Sequence, residues 1–256
     1  MKSPLIIANW KMKVSGDEAL TLARQAVKAT AKYKSAEIVL CPGFTELAGV
    51  ASAIKGSSLK LGAQDCFWEE SGAFTGEISP QALFSYGASY VIIGHSERRE
   101  HLAETGAMIR KKIFTAFRVG LVPVLCIGES FSQRQEGQKE VALIQELHQA
   151  LDGLWLTEAQ RLVVAYEPVW VIGSGQAVSG DEAEHTHQVI KQTLYDLFPA
   201  SVVQEQLRII YGGSVDPENV AQFTIQPTVD GVLVGGASLD ATVFTALVAA
   251  AVKAGC

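Results

Sequence analysis

The sequence predicts an α/β protein built as a (β/α)8 barrel, with residues 1–256 forming a single domain. Three observations carry this reading. Eight short runs are rich in Val, Ile and Leu, helix-like stretches lie between them, and the spacing is roughly 32 residues per unit. That spacing fits the ~250 residues of such a barrel better than an open doubly wound sheet. No linker or low-complexity segment separates the units, which share a rhythm without a recognisable sequence repeat.

In chain order the strand runs are LIIANW from Leu5, EIVLCP from Glu37, LKLGAQ from Leu59, YVIIG from Tyr90, LVPVLCIG from Leu121, RLVVAYE from Arg161, LRIIYGG from Leu207 and DGVLVGG from Asp230. Most are apolar at consecutive rather than alternate positions, the pattern of parallel strands covered on both faces. Residues 104–120 and 181–198 have apolar positions at threes and fours and read as crossover helices. Parallel strands deliver their carboxyl ends to one face, where sites of this fold are built. The residues at those ends are Asn9 and Lys11 after the first strand, Gln64 after the third, His95 after the fourth, Glu167 after the sixth, Ser214 after the seventh and Gly235-Gly236 after the eighth.

A composition of 48% hydrophobic and 19% charged residues excludes disorder. The net charge of −6 argues against nucleic acid and against an anionic membrane surface, so an anionic ligand must be held by local chemistry. Cys41, Cys66, Cys126 and Cys256 lack metal-ligand spacing, and three sit in or beside apolar runs, which suits a reducing compartment. The opening MKSPLIIANWKMK has an apolar run shorter than the ~7 to 15 residues of a signal-peptide core, and no run approaches the ~20 apolar residues of a membrane span. The expected location is the cytoplasm.

Lys11 alone would read as a solvated loop lysine, but its place just past a buried strand favours an inward ammonium. His95 stands between a strand ending at Gly94 and a helix starting at Ser96. A helix N-terminus disfavours imidazolium, so a neutral, hydrogen-bond-donating imidazole is expected. Glu167 could be a structural carboxylate paired with an arginine. Pro168 argues otherwise, since a residue before proline is held extended, which aims the side chain. Burial beside Val169 and Trp170 would strengthen it as a base. The glycines of 173–175 lack the Gly or Ala at position 178 that a dinucleotide loop needs. YGGSV (211–215) and LVGGASL (233–239) place small residues after the last two strands, where backbone amides can cradle a phosphate.

The motifs ANWKMK, GHSERR, AYEPVW, YGGSV and GGASL together resemble the triosephosphate isomerase family, from the start of the chain nearly to its end. The resemblance implies a TIM barrel that interconverts dihydroxyacetone phosphate and D-glyceraldehyde 3-phosphate with neither cofactor nor metal. It implies that Asn9 and Lys11 stabilise the substrate oxygens, His95 polarises the carbonyl and Glu167 moves the proton. Glu97 would be an acid near Lys11, with a helix-start carboxylate as its plainer reading. The amides of Gly173, Ser214, Gly235 and Gly236 would hold the phosphate. A lid would run through Pro168, Val169, Trp170, Val171, Ile172, Gly173, Ser174, Gly175, Gln176, Ala177 and Val178.

The loop of 65–79 carries Phe67, Trp68 and Phe74 and is too long for a mere connection. Exposed aromatics there want a partner. The resemblance implies a homodimer in which Phe74, Thr75 and Gly76 dock into the second subunit; the plainer reading folds the loop over its own barrel. Two departures stand out. The far hinge reads Gln176-Ala177-Val178 where Lys-Thr-Ala is usual, and Asp65 stands where Asn is expected, with no account at this level. Another phosphate-binding barrel, an isomerase or epimerase, would explain the late glycines but not the set Asn9, Lys11, His95 and Glu167. A non-catalytic barrel predicts loss of one of these four, and none is lost.

Overall fold

A computed structural model describes residues 3–171 and 177–255 of the chain. Eight parallel strands, β1 (Leu5–Asn9), β2 (Glu37–Cys41), β3 (Lys60–Ala63), β4 (Ala88–Ile93), β5 (Val122–Ile127), β6 (Leu162–Tyr166), β7 (Leu207–Tyr211) and β8 (Gly231–Val234), close in sequence order into a barrel. Each expected run forms one strand. The helices are α1 (Gly16–Thr30), α2 (Leu47–Ile54), α3 (Pro80–Ser85), α4 (Ser96–His101), α5 (Gly106–Val119), α6 (Phe131–Gln135), α7 (Lys139–Leu151), α8 (Gly180–Leu197), α9 (Ala200–Gln206), α10 (Val220–Thr224) and α11 (Ala241–Ala254). Among the described residues no helix is long and apolar enough to cross a membrane.

The consecutive apolar pattern has a direct cause, because alternate strand residues serve two cores. Leu5 and Ile7 of β1 fill the barrel interior with Val39, Tyr90, Ile92, Val124, Val163 and Ile210. Ile6 and Ala8 face the helix layer, with Ile109, Ile113, Leu143, Leu194 and Leu247 in the same outer core. The register runs Asn9 beside Cys41, Ile127 beside Tyr166 and Tyr166 beside Tyr211, which levels the strand ends at one mouth. The expected helix over 104–120 is α5, with the Thr105 side chain capping its start and Gly120 ending it at φ +87, where a Cβ would be strained.

On the apolar face of α5 sits Lys112, only 3% exposed, between Ile109 and Ile113. Its ammonium meets both oxygens of Asp65 at 2.8 Å and Glu104 at 3.0 Å, while Arg98 reaches Asp65 at 2.8 Å and Glu104 at 2.5 Å. Two acids and two bases thus form a box that ties the foot of the long loop at Asp65 to α4 through Arg98. This supplies the account that Asp65 lacked.

Burial, with the neighbouring Glu104 charge against it and Lys112 and Arg98 in its favour, leaves the Asp65 carboxyl raised to about 6. An acid raised in the folded state takes up its proton there before the unfolded chain does. Its contribution to stability is therefore fully present below about pH 4 and lost as pH rises through about 6. Relative to Asp65→Asn, the parent protein is expected to lose about 2–3 kcal/mol of unfolding free energy between pH 4 and pH 7.5. Urea denaturation of both proteins at several pH values checks this; a difference that stays flat would mean Asp65 does not titrate in that window.

Candidate active site

A cleft of about 550 Å³ opens at the carboxyl ends of the strands, lined among others by Asn9, Lys11, Lys13, His95, Glu97, Glu167, Ser214, Gly235 and Gly236. Every described residue expected to bind substrate therefore lines one cavity.

Asn9 ends β1, and its Oδ1 accepts the Lys11 N–H at 3.0 Å. Lys11 has φ +52, a backbone conformation costly for a residue with a side chain. The turn is clamped from the other side by Gln64, whose amide donates to the Lys11 carbonyl at 2.8 Å and to the Cys41 carbonyl at 3.0 Å. Gln64 stood among the strand-end residues in the sequence without a task; here it fixes the loop that aims Lys11. The Lys11 ammonium meets Glu97 Oε1 at 2.5 Å. Burial alone would raise the Glu97 carboxyl, but the Lys11 hydrogen bond and the nearby positive charges hold it below its ordinary value.

His95 is the N-cap of α4, and its Nδ1 accepts the Glu97 N–H at 3.2 Å. A nitrogen that accepts carries no proton, so the ring proton lies on Nε2. That Nε2 is 3.3 Å from Glu167 Oε1.

Glu167 is 2% exposed. Its N–H continues the ladder to the Ile127 carbonyl at 2.7 Å, and Oε2 accepts the Ser96 N–H at 3.1 Å. Oε1 has no aligned hydrogen-bond donor. Behind it, Cys126 is buried and reduced, its thiol held well up by burial and then by the Glu167 charge.

Two glycines permit this packing. A Cβ on Gly128 would stand 1.7 Å from the Glu167 carbonyl oxygen, and one on Gly212 would stand 3.0 Å from Glu167 Cγ. The glycine of YGGSV nearest the strand thus makes room for the Glu167 side chain. Gly128→Ala is expected to cost about 3 kcal/mol, at the upper end of overpacking, because backbone rather than a movable side chain blocks the methyl. A urea midpoint unchanged from the parent protein would refute that.

Among the described residues the N–H groups of Ser214, Gly235 and Gly236 meet no acceptor. A Cβ on Gly236 would enter open space, and one on Gly235 would lie 3.6 Å from Lys11 Cε, so these amides stand beside the Lys11 side chain. They form a polar, uncharged wall suited to an anion.

Pro168 follows Glu167, and residues Val169–Val171 make one 3-10 turn. Trp170 donates Nε1–H to Glu129 Oε1 at 3.0 Å, Tyr166 donates to the same oxygen at 3.3 Å, and the Arg134 guanidinium lies over the indole at 4.5 Å. Arg134 also pairs with Glu182 at the start of α8. Val171 and Val178 are buried, whereas Ala177 is exposed. Ile172, Gly173, Ser174, Gly175 and Gln176 lie outside the described residues, and with them one expected phosphate contact. Glu129 is fully buried, yet nothing in its sequence neighbourhood marked it beyond standing just past a strand end.

One expectation is corrected. Phe67 is not exposed but 7% accessible, packed with Trp68 at 4.0 Å and Phe74 at 4.7 Å. Residues 71–77, including Phe74, Thr75 and Gly76, are nevertheless all exposed, and Phe74 alone of these three packs its ring on the foot of the loop.

Fold and cleft together define a (β/α)8 barrel with carboxylate, imidazole and ammonium groups gathered at its mouth. A family model described as triosephosphate isomerase matches residues 4–251. The triosephosphate isomerase of Moorella thermoacetica is 45% identical over 251 residues, covering 97% of this chain and 98% of that protein. That of Dictyoglomus thermophilum is 42% identical, covering 93% and 96%. The crystal structure of triosephosphate isomerase from Bartonella henselae superposes with a TM-score of 0.87 at 32% identity, over 97% of this chain and 98% of that one. This chain belongs to the triosephosphate isomerase family, and thereby to the cofactor-independent isomerases.

Proposed function

We propose that the protein interconverts dihydroxyacetone phosphate and D-glyceraldehyde 3-phosphate in the cytoplasm, as a homodimer of single-domain subunits. The observation that supports the chemistry is the buried Glu167 carboxylate, its Oε1 3.3 Å from the protonated Nε2 of His95 without the alignment of a hydrogen bond. Glu167 removes a proton from carbon one of the ketose and returns it to carbon two. A proton next to a carbonyl is a far weaker acid than a carboxylic acid, so the enediolate must be stabilised as its charge develops. His95 Nε2–H donates to the oxygens that gain charge, and the Lys11 ammonium and the Asn9 amide stabilise them from the other side. Glu97 acts through Lys11, fixing its ammonium at 2.5 Å. The amides of Ser214, Gly235 and Gly236 grip the phosphate, a contact of dipoles that an acidic protein can offer a dianion.

Support for the homodimer comes from Met12, 98% exposed, with exposed Phe44, Phe74 and Leu102. All four follow strands of the first half of the barrel, so apolar surface gathers on one side of the mouth, with the 71–77 loop beside it. Thr75, exposed in that loop, would then reach the neighbouring subunit's site, as the family resemblance implies. Sedimentation at micromolar concentration is expected to give twice 27.4 kDa; a monomer overturns the dimer but not the chemistry. For the chemistry the test is a coupled assay on the purified chain in each direction, without added metal or cofactor. Failure to interconvert the two triose phosphates sinks the reading.

A further inference from the structure

We propose that Lys13 recruits the dianionic substrate to the cleft by its charge, a part in the reaction that the site residues above leave unfilled. The inference rests on the triose phosphate reading. Five charged side chains other than His95 line the cleft: Lys11, Lys13, Glu97, Glu167 and Asp216. Lys11 is already in contact with Glu97 at 2.5 Å. Glu167 is buried at the base, and Asp216 is held by the N–H groups of Glu218 and Asn219 and by the Asn219 side chain, with no cation. Among the described residues, Lys13 is the one cation lining the cleft that has no carboxylate within 4 Å.

Without Lys13 the lining would carry one paired cation against three carboxylates, in a protein of net charge −6. A dianion would approach through a repulsive field. One unpaired ammonium at the rim halves the net negative charge of the lining, from −2 to −1, and places an attractive charge on the approach that acts over a Debye length of about 8 Å at physiological ionic strength.

The position of Lys13 is fixed rather than incidental. Its N–H donates to the Trp10 carbonyl at 3.3 Å, closing the same turn that holds Lys11 at φ +52. Trp10 and Val14, on either side, are buried. The backbone is pinned at both ends while the side chain stays exposed, which is how a cation can be presented to solvent at a set place without being neutralised. A solvated lysine with no task would share the exposure but not the effect on rate.

The test is Lys13→Gln, Lys13→Glu and Lys13→Arg, compared with the parent protein at ~20 mM and ~500 mM ionic strength. At low salt, Lys13→Gln is expected to lower kcat/KM about three- to tenfold and Lys13→Glu further, with kcat within twofold and Lys13→Arg close to the parent. At high salt the differences are expected to vanish. Inorganic phosphate, titrated calorimetrically into each protein, is expected to bind Lys13→Gln several-fold more weakly at low salt only. A kcat/KM within 1.5-fold of the parent at low salt (about the error of such a comparison) overturns the proposal. So does a loss that high salt leaves undiminished, which would mean a contact rather than a field. A parent protein with no isomerase activity is the separate failure of the functional reading, and the phosphate titration then still decides whether Lys13 attracts the anion.

Discussion

Glu167→Gln is expected to lower kcat by at least about a thousandfold with little change in KM, because the amide keeps the shape of the side chain and cannot accept a proton. Oε2 receives the Ser96 N–H at 3.1 Å, and a glutamine oxygen can keep that bond. What disappears is the carboxylate Oε1, 3.3 Å from His95 Nε2. The same substitution is expected to leave the urea midpoint unchanged or raise it, since a buried charge is replaced by a neutral group. Activity and stability thus move in opposite directions, which separates loss of the base from loss of the fold. Turnover within a few-fold of the parent would remove Glu167 from the chemistry.

Lys112→Met is expected to destabilise the protein by about 3–5 kcal/mol at pH 7.5, the cost of leaving buried carboxylates without their cation. Asp65 and Glu104 would face each other, with only the half-exposed Arg98 between them. The deficit has a pH signature. Asp65, already raised to about 6, takes up a proton as pH falls, so the penalty is expected to shrink between pH 7 and pH 5. Urea denaturation at both pH values measures it. An equal deficit at the two would mean that lost packing, not charge, dominates.

Strands, helices and the barrel were legible because period and length are local properties, and parallel strands covered on both faces write a continuous apolar run. The positions of Asn9, Lys11, His95 and Glu167 followed from strand ends alone, since this topology delivers all strand ends to one mouth. What escaped was contact between distant segments. Lys112 meets Asp65 across 47 positions, and no window of sequence contains both. A signal existed, however: a lysine between Ile109 and Ile113 on the apolar face of a helix demands a buried acid, and Asp65 was the unassigned one. Gln64 was visible as a strand-end residue, but its task depends on the strained turn at Lys11, which only the backbone reveals. Phe67 failed for the opposite reason, as an aromatic in a long loop looks exposed until the loop is seen to fold onto its own foot. Gly212 shows a third limit, because tight packing against Glu167 and an open phosphate turn call for the same residue.

The central claim is that the transferred hydrogen travels as a proton resting on Glu167, not as a hydride passed between carbons. Conversion of dihydroxyacetone phosphate in D2O, stopped at low extent and read by NMR of the trapped aldehyde product, tests this most directly. A carboxylic acid proton exchanges with solvent, so deuterium is expected at carbon two in a measurable fraction of the product, and Glu167→Gln is expected to form neither product nor label. Product made at the parent rate with no deuterium at carbon two would contradict the account.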